Sequence, residues 1–589
     1  MFNGISRSAF LPFFFIFLIA SIFRVTNLDL IEFKTDEAVN LLLASRPLFG
    51  HPFPPGGTVS SLGVLNPPLF NYILFPITAI SLDPKFITFF IGFINSLAIA
   101  FLFLVIRKYY GLSIALITSV LMAFSPWAIL YSRKIWMQDL LIPFFVVLFF
   151  SIHKLVVEKK QIFWLPYASC SFFLIQLHPI SFLFIALITL FLFLQKIKIN
   201  FKYIAFGLLI GLLPLIPYIA YEFANNCPDC QSLIYARNKL SFRYSPELFF
   251  RPLQILSQGN FRFILGNDTL TFAQNFPFVD ALRRVFYFEY LLIPIGIFIF
   301  IKKFKNLKFL AYSTIALPFI YFSLKLEPFM HYYIIIMPLL FLFLAVAFDY
   351  FIFHKNLFLR LGSFFVLSLI IITSILFNIS FFNLLKQQGG LKGDYGSAFF
   401  STQKEIEEKL ASYKKRQDYY EIYLASFISL DYMYGYQPLG RMIYQNQTSK
   451  ERLFFLEKKL IEDPNDPRIK HELLAFYTKS KLTLETIDLL REKRLKIPQY
   501  EPLYKQVFQD YLAQNFKKEY VSSELGFRFF YPEHWKVEKK GSEITINGDE
   551  YKIYIRNLGK AGVDVNCVDG KNKCRKETIE EIIKSIRPY

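Results

Sequence analysis

Only 19% of the 589 residues are charged, against 54% hydrophobic, a balance that excludes an ordinary water-soluble protein. With 25 Gly and 30 Pro the chain is not collagen-like, low-complexity or disordered. Five Cys are too few for a disulfide scaffold. Acidic residues number 45 against 65 basic ones, a net charge of +20. In so apolar a chain the excess reads as loop charge that sets membrane orientation, and no nucleic-acid partner is expected. What the chain has in abundance is aromatic: 72 Phe and 35 Tyr, read as lipid-facing packing and interface belts and not as a sugar-stacking platform.

Apolar runs long enough for a bilayer core, about 20 residues of helix, recur through the first 385 residues and then stop. Spans are expected near 8–24, 86–106, 112–131, 139–155, 162–178, 179–195, 202–221, 285–301, 307–325, 331–352 and 357–382. The stretch 68–82 follows Pro67, contains Pro76 and is short, so it is expected to be juxtamembrane. The fold class is therefore mainly α: a polytopic bundle of about eleven spans, residues 1–385, followed by a soluble part.

Alternate short connections carry Arg107, Lys108, Lys154, Lys159, Lys160, Lys196, Lys198, Lys202, Lys302, Lys303, Lys305, Lys308, Lys355 and Arg360; the opposite ones carry Arg133, Lys134 and Lys325. By the positive-inside rule the first set and the N-terminus are cytoplasmic and the C-terminal part is outside. Residues 8–24 also suit a signal peptide, but lack a small-x-small cleavage pattern and are expected to be retained. The loops at about 26–66 and 222–284 then lie outside as well.

Beyond 385, amphipathic helices are expected at 402–416, 450–462, 467–480 and 483–495, in a helical region 386–520. From 521 to 589 the pattern alternates at 526–531, 535–537, 543–546 and 551–555, which predicts a small α+β domain closed by a helix at 576–586. Cys567 and Cys574 flank a turn, and Cys227 and Cys230 sit in one outer loop. Local disulfides are expected at both pairs, with a zinc half-site or a redox motif as the other readings of Cys227/Cys230.

The polar residues differ between the two faces. Inner connections hold plain Lys and Arg. The outer ends of the spans hold Asp36 and Glu37, Asn66-Pro67-Pro68, Ser132-Arg133 with Asp139, His178-Pro179, and Glu327 with His331-Tyr332. Carboxylate, imidazole and guanidinium meeting on one side suit acid/base chemistry, anion binding or a metal site. Four of these groups also have a plainer reading. Asp36 and Glu37 can cap a helix at 37–44, Pro67-Pro68 can start one, Arg133 and Lys134 can snorkel to the interface, and His178-Pro179 can simply break two spans.

Thr35-Asp36-Glu37-Ala38, Asn66-Pro67-Pro68, Ser125-Pro126 with Tyr131-Ser132-Arg133 and Asp139, and His331-Tyr332 together resemble the ordered motifs of GT-C glycosyltransferases, the protein O-mannosyltransferases and lipid A aminoarabinose transferases above all. The resemblance covers about residues 8–385. It implies inverting transfer of a sugar from a polyprenyl-phosphate carrier to a protein, lipid or polysaccharide hydroxyl at the outer face of the plasma membrane. Asp36 is then the general base, and Glu37 orients it or helps to bind the acceptor or a divalent ion. Arg133 holds the leaving phosphate, with Arg46, Asn66, His331 and Tyr332 as further donor-binding candidates. Asp139, His178 and Glu327 are candidates for a second carboxylate or acceptor contact. No cofactor is expected beyond a possible cation held by Asp36 and Glu37. The pattern departs from the family at Asn66, where aminoarabinose transferases often have Lys; Arg46 is the candidate substitute. It departs again in the Arg133-to-Asp139 spacing, one residue longer than in the family. The rival readings are a transporter or flippase of lipid-linked sugars, which wants mid-span ionisable groups and paired halves, and an anchored cell-envelope assembly protein.

Overall fold

A computed structural model describes residues 7–428 except 61–63, 226, 228, 231–243, 259, 412–413 and 416–418, and beyond them separate stretches between 456 and 588. Cys574, the helix expected at 576–586 and most of the helices expected at 450–462, 467–480 and 483–495 lie outside the described residues. The chain divides into two units, Met1–Ile443 and Tyr444–Tyr589.

Besides four short helices at Arg251–Gln254, Arg262–Leu265, Asp268–Asn275 and Pro277–Leu282, the first unit's described helices are α1 (Arg7–Ile22), α2 (Thr35–Ser45), α3 (Leu69–Thr78), α4 (Pro84–Tyr110), α5 (Leu112–Phe124), α6 (Pro126–Leu130), α7 (Leu141–Val156), α8 (Trp164–Leu177), α9 (Ser181–Leu194), α10 (Phe201–Leu212), α11 (Ile216–Ala224), α12 (Tyr287–Lys303), α13 (Lys308–Ser323), α14 (Met337–Ile352), α15 (Leu357–Gln388), α16 (Phe399–Lys409) and α17 (Tyr419–Ala425). Among the described residues, six stretches are long and apolar enough to cross a bilayer: Pro84–Tyr110, Met137–Val156, Phe201–Ala224, Pro277–Lys303, Met330–Ile352 and Leu357–Gln388. Shorter apolar helices occupy the other expected spans. This is a multi-pass membrane protein. The piece at 68–82 is α3, 10 residues with Pro76 inside.

Local chemistry sets the helix ends. Asp83 accepts from the Lys85 N–H (2.9 Å) with Pro84 at the first helical position, and Asn356 accepts from the N–H groups of Phe358 and Leu359 to start α15, each satisfying donors that have no partner within the helix. Small residues let spans touch. Gly207 and Gly211 of α10 lie against α8, where a Cβ would come within 2.4 Å of the Leu165 carbonyl or 2.7 Å of the Phe172 Cβ. Ser169 and Gln176 of α8 donate to the carbonyls of the same two glycines (3.0 and 2.6 Å). In a solvent as apolar as the side chains, close backbone approach and such bonds hold helices together.

The bundle has two different ends. At one, Glu158 gathers Lys108 (2.5 Å), Lys154 (2.8 Å) and Lys160 (3.3 Å) and accepts from Tyr109 (2.7 Å), and Lys303 pairs with Asp349 (3.7 Å). At the other, the segments around 23–34, 131–136, 246–276, 324–333 and 389–398 converge.

In the second unit, β1 (Lys518–Ser522), β2 (Phe527–Tyr531) and β7 (Arg587–Pro588) form one sheet in the order β1-β2-β7. The strands β3 (Lys536–Lys540), β4 (Glu543–Asn547), β5 (Tyr551–Asn557) and β6 (Val563–Asp569) form an antiparallel meander. Ile544 and Ile546 of β4 and Ile555 of β5 are buried, the alternation that one covered face requires. Cys567 lies in β6 opposite Ile553.

Candidate active site

After α1 the chain turns through a short 3-10 helix, Leu28–Leu30, becomes extended at Ile31, and Glu32 bridges Ala398 across an antiparallel pair. It then turns at Lys34 into α2. Lys34 is the cap residue, and Glu37, three residues on, reaches back to accept its N–H (3.1 Å), one half of a capping box. Asp36 is thereby left at the second helical position, on the wall of a cavity of about 480 Å³, within the usual range for ligand sites. Among the described residues its carboxylate makes no hydrogen bond or ion pair. Burial raises its pKa, and the charges of Lys34 and Lys134 oppose that rise. Burial pushes Glu37 further, to about 8.

The next element is the irregular turn after α6. Ser132 Oγ donates to the Ala128 and Ile129 carbonyls (2.9 and 2.8 Å), and Asp139 accepts the Lys134 N–H (2.9 Å). Two adjacent cations then part. Arg133 turns to the carbonyls just beyond the end of α1, donating to Phe23, Thr26 (2.6 Å) and Asn27 (2.8 Å), and lies over the Phe382 ring (4.7 Å). A cation at a helix C-terminus is favourable there. Lys134 turns the other way, into the cavity, and pairs with Glu32. Burial would lower the Lys134 ammonium, but Glu32 and Glu37 outweigh it and hold it above the usual lysine range. Lys34 takes the other oxygen of Glu32 (2.7 Å) and also touches Asp394.

The far wall comes from 246–264 and 327–331. Arg251 donates to the Pro328 carbonyl and to Gln254 (2.6 Å each) and pairs with Glu247, which ties the two segments together. Glu327 lines the cavity with no hydrogen bond or ion pair on its carboxylate among the described residues. Asp394 belongs to the glycine-rich run Gly389–Gly396 and is fixed by its N–H to the Phe263 carbonyl (2.9 Å). His331 lines the wall against Trp136 (5.3 Å between ring centroids).

Of the expected residues, then, Asp36, Glu37, Glu327 and His331 share one cavity. The others do not reach it. Arg133 is spent on α1. Arg46 is buried, which lowers its guanidinium, with Glu421 opposing. Asn66 donates to Thr58 (2.7 Å to the carbonyl). Asp139 supports the turn from behind. His178 and Tyr332 stand behind His331 (5.3 and 4.9 Å between rings). Cys227 and Cys230 are joined in a disulfide, which leaves no zinc half-site there. Between them Asp229 accepts the Leu65 N–H (3.1 Å) and the Tyr218 hydroxyl (2.6 Å). Of the two carboxylates expected to hold a cation, Glu37 has one oxygen on the Lys34 N–H. No group of three or more His, Cys, Asp or Glu suited to a metal ion occurs among the described residues. Glu32, Glu247, Arg251 and Asp394 escaped the motif reading; the glycine run around Asp394 was the one sequence signal for any of them.

Fold and cavity together define a multi-pass membrane protein with a charged, aromatic-walled cavity at one end of its bundle. No family model matches the chain, and no curated protein does. Among solved structures it is similar to ArnT from Cupriavidus metallidurans bound to undecaprenyl phosphate, with 12% identity and a TM-score of 0.45 over 69% of this chain and 80% of that one. It is also similar to the oligosaccharyltransferase AglB from Archaeoglobus fulgidus, in complex with an inhibitory peptide and a dolichol-phosphate. There the identity is 14% and the TM-score 0.40, over 70% of this chain and 59% of that one. Neither likeness carries a residue-by-residue correspondence.

Proposed function

We propose that this chain is an integral-membrane glycosyltransferase that moves a sugar from a polyprenyl-phosphate carrier to an acceptor hydroxyl, with the cavity on the outer face of the membrane and the N-terminus in the cytoplasm. The observation that carries the reading is the unpaired carboxylate of Asp36 in the same cavity as the ammonium of Lys134. An acceptor hydroxyl attacking the anomeric carbon must lose its proton, and Asp36 is placed to take it, a contribution of roughly 10²–10⁴-fold. As the sugar–oxygen bond breaks, the lipid phosphate gains negative charge, and Lys134 is the fixed cation that meets it. Arg251, on the opposite wall, is the second. A single displacement inverts the anomeric configuration. Lys134 here takes the role that the motif pattern assigned to Arg133.

The test is incubation of the purified chain with radiolabelled polyprenyl-phosphate sugars, beside an Asp36→Asn variant. The wild type is expected to transfer label and the variant to lose at least a hundredfold in kcat while remaining folded and membrane-inserted. A variant that transfers normally removes Asp36 as the base. A transporter would move the lipid-linked sugar across vesicles with no change in its glycosidic bond.

A further inference from the structure

Within the cavity the aromatic residues are not arranged as lipid-facing packing. Trp127, Tyr131 and Trp136 form a column: the first two rings stack at 5.6 Å and 21°, the next two at 6.1 Å and 25°. Burial falls along it, from 1% exposure at Trp127 and 6% at Tyr131 to a partly exposed Trp136. All three line the cavity. The plane of Trp136 is set from the side by the His331 ring, edge-on at 5.3 Å and 77°, and His331 is itself held by Phe329 at 5.2 Å. An indole so braced, and partly exposed to the cavity, presents a rigid apolar surface with a negative ring face.

The C–H groups on one side of a pyranose or furanose carry slight positive charge and are the sugar's apolar face, so they complement such a ring. The Lys134 ammonium lies 5.8 Å from the centroid of the same indole. A sugar seated on Trp136 therefore has its linked phosphate within reach of that lysine. We propose that Trp136 is the specificity platform for the transferred sugar, stacking on its C–H face while Lys134 takes the phosphate. The assignment rests on the glycosyltransferase reading and deepens it.

The test compares binding of undecaprenyl phosphate with binding of undecaprenyl-phosphate pentoses and hexoses by the full-length protein in detergent, read by tryptophan fluorescence and by competition. Trp136→Leu is expected to weaken the sugar-bearing lipids at least tenfold and the bare lipid less than twofold. Trp136→Phe, which keeps a ring, is expected to recover most of the loss and to separate stacking from folding. In transfer, KM for the donor is expected to rise more than kcat falls. Equal weakening of bare and sugar-bearing lipid, or no weakening, overturns the platform. A wild type that prefers sugar-bearing lipid through Trp136 yet transfers nothing overturns the transferase reading and leaves the platform standing. Binding of neither lipid overturns both.

Discussion

Lys134 and Glu32 form an ion pair with side chains only 8% and 1% exposed, and the second oxygen of Glu32 holds Lys34 at 2.7 Å. One buried carboxylate thus anchors two cations that come from separate segments of the chain. Breaking a buried pair leaves a charge without its partner, which costs far more than losing a surface pair. Glu32→Gln is expected to leave both lysines mobile and, because small misplacements of charged groups are expensive in catalysis, to lower kcat/KM for the lipid donor by about 10- to 100-fold. Steady-state kinetics on the variant checks this; unchanged kcat/KM would show that the pair does not position the site.

Arg133 and Lys134 are neighbours with opposite expected phenotypes. Arg133→Met strips the donor from three backbone carbonyls and is expected to cost about 3 kcal/mol of stability with KM for the donor unchanged in what remains folded. Lys134→Met is expected to raise KM and lower kcat. Thermal unfolding and kinetics on the same two preparations separate them.

The acid limb of activity reports Asp36. Burial raises its pKa and Lys134 opposes the rise, so the carboxylate becomes protonated, and useless as a base, at a higher pH than an ordinary aspartate. Removing the cation in Lys134→Met is expected to move the acid limb of kcat/KM further toward neutral pH. A limb that stays in place, or moves to lower pH, refutes the coupling.

Glu37 gives a pH-dependent stability. Burial pushes its pKa up to about 8, from about 4.5 for an ordinary glutamate, so the folded state holds the proton more tightly than the unfolded chain. That stabilisation is fully present below about pH 4.5 and is lost as pH rises through 8, with a slope of up to about 1.4 kcal/mol per pH unit between them. Unfolding of the detergent-solubilised protein across this range is expected to show the slope, and Glu37→Gln to flatten it.

The disulfide of Cys227 and Cys230 closes a very short loop, and the chain-entropy model assigns about 2 kcal/mol to one of that length. Because Asp229 between them binds Leu65 and Tyr218, Cys227→Ser with Cys230→Ser is expected to lower the Tm and to speed hydrogen exchange of the Leu65 amide. An amide that exchanges as before would show that the turn holds without its bridge.

Residue order alone determined the helices of the membrane unit, because a run of apolar side chains long enough for a bilayer has few other stable forms, and the eleven expected spans each carry a helix. It also picked out Asp36 and Glu37, whose acidic side chains at a helix start follow from local capping. It did not determine which of Arg133 and Lys134 enters the cavity. The turn that carries them has no period from which a direction can be read, and the outcome depends on where the carbonyls that follow α1 fall, more than a hundred residues earlier in the chain. The same holds for Arg251 and Asp394. Each is an ordinary loop charge in one dimension, and only the packing of five distant segments at one end of the bundle brings them to a common wall.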